Sequence, residues 1–124
     1  MEMMLFTSQQ KQKLLFNGRE ENRGKDHHPV VKLFLPGTAC TWLLTELDPE
    51  DPDIAFGLCD LGMGFPELGS VYLPELLELR TPFKVERDLH FDGEYSISVY
   101  ARAASAVECI TEDPIRLKAA ALKP

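Results

Sequence analysis

The chain is short of everything that usually announces a chemistry. No CxxC pair occurs, which disfavours a zinc ribbon, and neither a GxGxxG nor a GxxxxGK[ST] run offers a loop for phosphates. Serine and threonine are present without a G-x-S-x-G elbow, and the three cysteines, Cys40, Cys59 and Cys109, have no identifiable activating partner. Their odd number and wide spacing suit reduced, mostly buried thiols better than a disulfide framework. No stretch approaches the ~18 uninterrupted apolar residues that cross a bilayer. The opening MEMMLF has neither the basic start nor the long apolar middle of a signal peptide, so the expectation is a cytoplasmic protein without membrane contact. Positive charge is scarce as well: 13 Lys and Arg stand against 20 Asp and Glu, a net charge of -7.

What is present is ordinary globular material. With 124 residues, 44% of them hydrophobic and 27% charged, the chain is long enough to bury one core without staples and is expected to form a single domain, 1–124. The acidity is regional. Residues 46–94 hold thirteen Asp and Glu against Arg80, Lys84 and Arg87, a local charge of -10, whereas the flanking segments are weakly positive. Such a field repels nucleic acid and accelerates encounter with a basic partner, although plain solubility accounts for it too.

Thr7 followed three residues later by Gln10 forms a capping-box pattern ahead of Leu14, Leu15 and Phe16, which predicts a helix over 8–16 within an N-terminal segment 1–17. GREENRGKDHH, residues 18–28, contains no apolar residue to bury and reads as a mobile loop. A sheet core is expected over 28–103. Its strands are read at 30–35, 39–47, 54–61 and 69–73, with Pro36-Gly37 suited to a type II turn. In the second of these, Cys40, Trp42 and Leu44 fall on one face and Thr41, Leu43 and Thr45 on the other. A short helix near 74–80 opens at Pro74. Asp92-Gly93 resembles a two-residue hairpin turn joining strands 83–91 and 94–102. Residues 104–124 form a C-terminal extension, either a helix capped by Asp113 or a mobile tail. Short connections imply antiparallel pairing, hence an α+β fold with a central sheet of five or six strands and short helices mainly on one side.

Three groups of residues invite a site. Asp48, Glu50, Asp51 and Asp53 crowd one connection, with Asp60 and Glu67 as extensions of the same acidic surface. A calcium loop starting at Asp48 fails, because Pro52 stands where an oxygen ligand is needed, Asp53 stands in place of the glycine, and no glutamate closes the twelfth position. Glu86, Asp88 and His90 would share one face of a strand, successive side chains about 7 Å apart. Such a trio offers a metal or an acid/base site in principle, but ligands strung along one strand rarely converge on one ion, and ion pairs with Arg80, Lys84 or Arg87 are the plainer reading. His27-His28 has no second cluster at metal spacing and reads as loop.

The features also occur in a distinctive order: LFTSQQKQKL, VVKLFLPGTACTWLLTELD, IAFGLCDLGMGFPELGSVYLPELLEL and KVERDLHF. Together they resemble the small plasmid- and integrative-element-encoded proteins grouped as domain of unknown function 2958, over about residues 4–91. The positions that look like the family pattern are Trp42, Glu46, Phe56, Gly57, Leu68, Gly69, Leu73, Leu76, Glu86, Arg87, Asp88, Leu89 and Phe91. The chain departs from it at His90, where an aromatic residue is usual, and in continuing past Phe91, so the later segment reads as an elaboration. The resemblance carries no established activity; it implies a setting of mobile elements, where small acidic proteins often counter host defence.

The expectation is therefore a non-enzymatic interaction protein without a cofactor, docking its acidic middle on a basic protein surface such as a CRISPR or restriction complex. Carboxylates would imitate phosphates, which duplex DNA presents at one charge per ~1.7 Å. The contact residues would be Asp48, Glu50, Asp51, Asp53, Asp60 and Glu67, with no direct binding of nucleic acid. The rivals are a small metal-dependent or acid/base enzyme using Glu86, Asp88 and His90, and a structural subunit of a plasmid-encoded assembly that meets its neighbours through an exposed apolar patch.

Overall fold

A computed structural model describes residues 5–80 and 82–123 of the chain. The capping box forms as its spacing demands: the Gln10 N–H donates to Thr7 Oγ1 (3.0 Å) and the Thr7 N–H to Gln10 Oε1 (2.9 Å), starting α1, Ser8–Asn17. Four strands follow, β1 (Val31–Phe34), β2 (Thr41–Asp48), β3 (Asp51–Asp60) and β4 (Glu67–Tyr72). Between the first two, the Thr38 N–H reaches the Leu35 carbonyl (3.2 Å) around Pro36 and a Gly37 at φ +82°, a turn that needs glycine at its third position. Helix α2 (Leu73–Glu78) and a two-residue strand β5 (Glu86–Arg87) complete a five-stranded antiparallel sheet in the order β4-β3-β2-β1-β5. The chain ends in α3 (Ile97–Val107) and α4 (Pro114–Ala121). The fold is α+β.

One irregularity decides which residues face which layer. Leu44 opposes Gly57 and Glu46 opposes Phe56, leaving Thr45 as an extra residue in β2. The alternation read from the sequence holds as far as Leu44 and then changes phase: Trp42, Leu44 and Leu47 enter one layer, Leu43 the other. Asn17 at the end of α1 donates to the Thr45 carbonyl (3.0 Å), and the Thr45 hydroxyl donates to the Phe56 carbonyl (3.2 Å), so the bulge keeps its polar groups satisfied. Opposite it, a Cβ on Gly57 would lie 2.0 Å from the Leu43 carbonyl oxygen, so only glycine fits there.

The sheet is covered on both faces, not mainly on one. Leu14 of α1 and Leu73 and Leu76 of α2 pack with Val31, Leu33, Trp42, Leu44, Leu47 and Ala55. On the opposite face Ile97, Tyr100, Ala103 and Ala104 of α3 and Leu117 and Ala120 of α4 cover Leu43 and Leu58. The Asp92-Gly93 hairpin is overturned. Of the expected strand 83–91 only Glu86 and Arg87 pair, with Phe34 and Leu33, and the expected strand 94–102 is the entry to α3. Ile97, Tyr100, Ala103 and Ala104 are buried at helical spacing, which satisfies the same apolar residues that an alternating reading assigns to a strand. Gly93 does not adopt a positive φ; a Cβ there would meet the Pro29 carbonyl oxygen at 2.2 Å.

The C-terminal extension is tied to the sheet. Asp113 caps α4 by accepting the Ile115 N–H (3.3 Å), and Lys32 on β1 pairs with Glu112. No helix among the described residues is long and apolar enough to cross a membrane.

Candidate functional site

The acidic connection is a tight hairpin. Only Pro49 and Glu50 separate β2 from β3, and Asp48 stands opposite Asp51. Asp48 Oδ1 accepts the Glu50 N–H (2.9 Å) and Asp51 Oδ1 accepts the Asp53 N–H (3.3 Å), so two of the carboxylates brace the turn itself. Glu50, Asp51 and Asp53 are exposed and Asp48 half-buried. Among the described residues none of the four makes an ion pair. Clustered carboxylates without counter-ions repel one another, and a cationic surface would relieve that repulsion.

Asp60 does not belong to this surface. It is 2% exposed; Oδ1 accepts the Gly62 N–H and Oδ2 the Ile110 N–H, both at 2.8 Å, which fastens the α3–α4 connection to the end of β3. Glu67 is exposed on the edge strand β4, opposite Cys59. Burial pushes the Cys59 thiol up to about 11, with the Glu67 carboxylate adding to the effect, so Cys59 carries almost no thiolate at neutral pH. Against the expectation of mostly buried thiols, Cys40 and Cys59 are half-buried and Cys109 is exposed.

Nor does the structure assemble Glu86, Asp88 and His90. The strand stops at Arg87; Asp88 turns its Oδ1 to the His90 N–H (2.8 Å) and its Oδ2 toward Lys32 Nζ (3.5 Å), while Glu86 and His90 are exposed. Among the described residues no group of three His, Cys, Asp or Glu is placed to hold a metal ion.

The residue that local reading passed over is Glu46. An acidic residue inside the apolar run WLLTEL was the available signal, and the bulge at Thr45 turns it onto the α3 side of the sheet. It is 9% exposed and lines a cavity of about 320 Å³ with Arg23, Gly24, Asp48, Ile54, Phe56 and Ser70. Its Oε2 accepts the Gly24 N–H (3.1 Å) and lies 4.0 Å from His27 Nε2. The segment 18–28, read as a mobile loop, is thus anchored. His27 offers its carbonyl to the Ile97 N–H (2.7 Å), and Asp26 accepts from both the backbone N–H (2.9 Å) and the hydroxyl of Ser98, capping α3 from 72 residues away. Slight burial pushes the Asp26 carboxyl upward, but the Ser98 bonds, helped by Ser96 and Arg102, outweigh it and hold the group below the ordinary value.

Cross-strand pairs extend this site into a surface. Ile54 opposes Tyr72, Phe56 opposes Ser70 and Leu58 opposes Leu68, all on one face by the two-residue period. Leu58 is covered by α3, but Leu68 and Tyr72 remain nearly half exposed, at 46% and 47%. An apolar strip therefore runs along β3 and β4 from the acidic hairpin, with the Glu46 cavity between them.

The family model described as protein of unknown function (DUF2958) matches residues 5–111. That match continues past Phe91 through α3, so most of the segment read as an elaboration lies inside the family pattern, and α4 lies beyond it. No curated protein and no solved structure matches the chain.

Proposed function

The chain belongs to the DUF2958 family, and from that premise we propose that it is an interaction protein that docks the β2–β3 hairpin and the adjoining sheet face on a basic protein surface. The observation that carries the reading is the junction of two unsatisfied surfaces. Asp48, Glu50, Asp51 and Asp53 lack ion-pair partners among the described residues, Tyr72 beside them is left partly bare, and Leu68 continues the bare strip toward the far end of β3. An apolar centre bordered by charge is the usual anatomy of a protein interface, and the carboxylates would give fast, salt-sensitive association. The partner class is a nucleic-acid-binding complex of host defence, of CRISPR or restriction type, whose phosphate-binding groove the carboxylates would occupy.

The test is protection of an incoming plasmid in cells that carry such a system, together with capture of the purified complex at low and high salt. Reversing Asp48, Glu50, Asp51 and Asp53 to lysine should abolish capture and protection while the circular dichroism spectrum stays that of the parent. Undiminished capture by the reversed variant would sink the proposal.

A second reading has its own observation. Leu61, Met63 and Phe65, in the β3–β4 loop, are 57%, 74% and 77% exposed. This apolar loop lies at the far end of β3, roughly 30 Å from the hairpin at about 3.3 Å per residue, and suits a subunit of a larger assembly. Replacing Met63 and Phe65 with serine would abolish capture under this reading and leave it unchanged under the first.

A further inference from the structure

We infer that the cavity at Glu46 is a receptor for one arginine side chain of the basic partner, an assignment that rests on the docking reading above. Glu46 is nine-tenths buried, yet among the described residues its carboxylate accepts only the Gly24 N–H, on Oε2, while the nearby His27 Nε2, 4.0 Å away, is hydrogen-bonded to the Asn22 carbonyl. Oε1 has no hydrogen-bond partner among the described residues. No buried side-chain oxygen is orphaned there either, so Oε1 retains access to the cavity that Glu46 lines. A partly desolvated carboxylate with spare acceptor capacity favours a cationic donor over water.

The walls select the kind of cation. Phe56 offers an aromatic surface, Ile54 flanks the stem, and Ser70 adds a hydroxyl at the rim. A planar guanidinium can stack on an aromatic ring while it donates to a carboxylate, which an ammonium does less well. A volume of about 320 Å³ lies at the low end for ligand pockets and suits a single side chain better than a large metabolite. Asp48, the inner member of the hairpin, lines the same cavity, so the hairpin and the receptor would engage one partner together. Arg23, which also lines it, makes no ion pair with Glu46 and would be displaced by the incoming cation.

The experiment is a titration of the isotopically labelled full chain with N-acetyl-arginine amide, followed by amide NMR shifts, with the lysine and norleucine amides as controls. Saturable shifts at Gly24, Glu46, Phe56 and Ser70 with arginine, at least fivefold weaker with lysine and absent with norleucine, are expected. Glu46→Gln keeps an oxygen for the Gly24 N–H and should weaken arginine binding at least tenfold without altering the rest of the spectrum. Arg23→Ala should bind as tightly as the parent or more so. Equal binding of norleucine or lysine, an unaffected Glu46→Gln, loss of binding in Arg23→Ala, or no saturable shift would each overturn the assignment. The triple variant Glu50→Gln, Asp51→Asn, Asp53→Asn lies outside the cavity. It should lose partner capture yet keep the arginine titration, so failure of docking and failure of the receptor give different results.

Discussion

Replacing Asp60 with alanine should be among the most damaging single changes in the protein, although the residue sits in an acidic region that looks like surface. Its carboxylate accepts two backbone N–H groups at 2.8 Å, from Gly62 and Ile110, and the side chain is 2% exposed. Hydrogen bonds to a charged acceptor contribute roughly 1.5–3 kcal/mol each. The Gly62 amide lies in an exposed loop where water can replace the lost oxygen, whereas Ile110 is half-buried between helices and loses most of its bond. The expected cost is therefore about 2–4 kcal/mol, a large part of the ~5–15 kcal/mol that holds a typical domain folded. In urea, with a slope of roughly 1.5 kcal/mol per molar, the midpoint should fall by about 1.3–2.7 M. Hydrogen exchange at the Ile110 amide should accelerate more than at amides in β2. Asp60→Asn should be nearly as harmful, because its amide nitrogen would face one of the two donors. A midpoint shift under about 0.5 M, equivalent to ~0.75 kcal/mol at that slope, with unchanged protection at Ile110 would refute the claim that Asp60 fastens the C-terminal helices to the sheet.

Glu108 ends α3 in the left-handed region at φ 66°, so Glu108→Gly should raise stability by about 1 kcal/mol, read as a higher melting temperature. Cys109 is exposed and the Cys59 thiol is pushed up to about 11 by burial; at pH 8 a maleimide should modify Cys109 well before Cys59, and mass mapping that finds the reverse order would contradict the packing around β3. Asp26 caps α3, so Asp26→Ala should cost about 1 kcal/mol near neutral pH. Because the folded-state pKa of Asp26 is lowered from 3.8, its contribution is present above that value and is lost as pH falls through the folded pKa. The difference between parent and Asp26→Ala, measured by urea unfolding, should hold from pH 7 to about pH 5 and shrink below 3.8.

What could be read in the sequence was what local chemistry decides. The Thr7–Gln10 capping box, the Pro36-Gly37 turn and the Asp113 cap are each settled within a few residues, and each stands where its pattern put it. The stretch Tyr95 to Ala101 was ambiguous, since Ile97 and Val99 alternate as in a strand while Ile97, Tyr100 and Ala104 also follow a helical period. The alanines of ARAASA that follow were the signal for a helix, and Asp92-Gly93 misled because Gly93 serves a close approach by Pro29, not a turn. The candidate site was half legible. The acidic hairpin shows in composition, but the burial of Asp60 depends on an amide 50 residues away, and the placement of Glu46 depends on the single extra residue at Thr45.

The division of the core by the sheet has a consequence for how the protein is made. The meander β1 to β4 is complete once residue 72 has been synthesised, and α1 can already cover one side of it. Leu43 and Leu58 on the other side stay bare until α3 and α4 emerge, a window in which nascent chains are prone to stick to one another. The excess of carboxylates between residues 46 and 94 falls in the same stretch of chain. Mutual repulsion then makes the acidity useful to the ribosome's product before any partner is met.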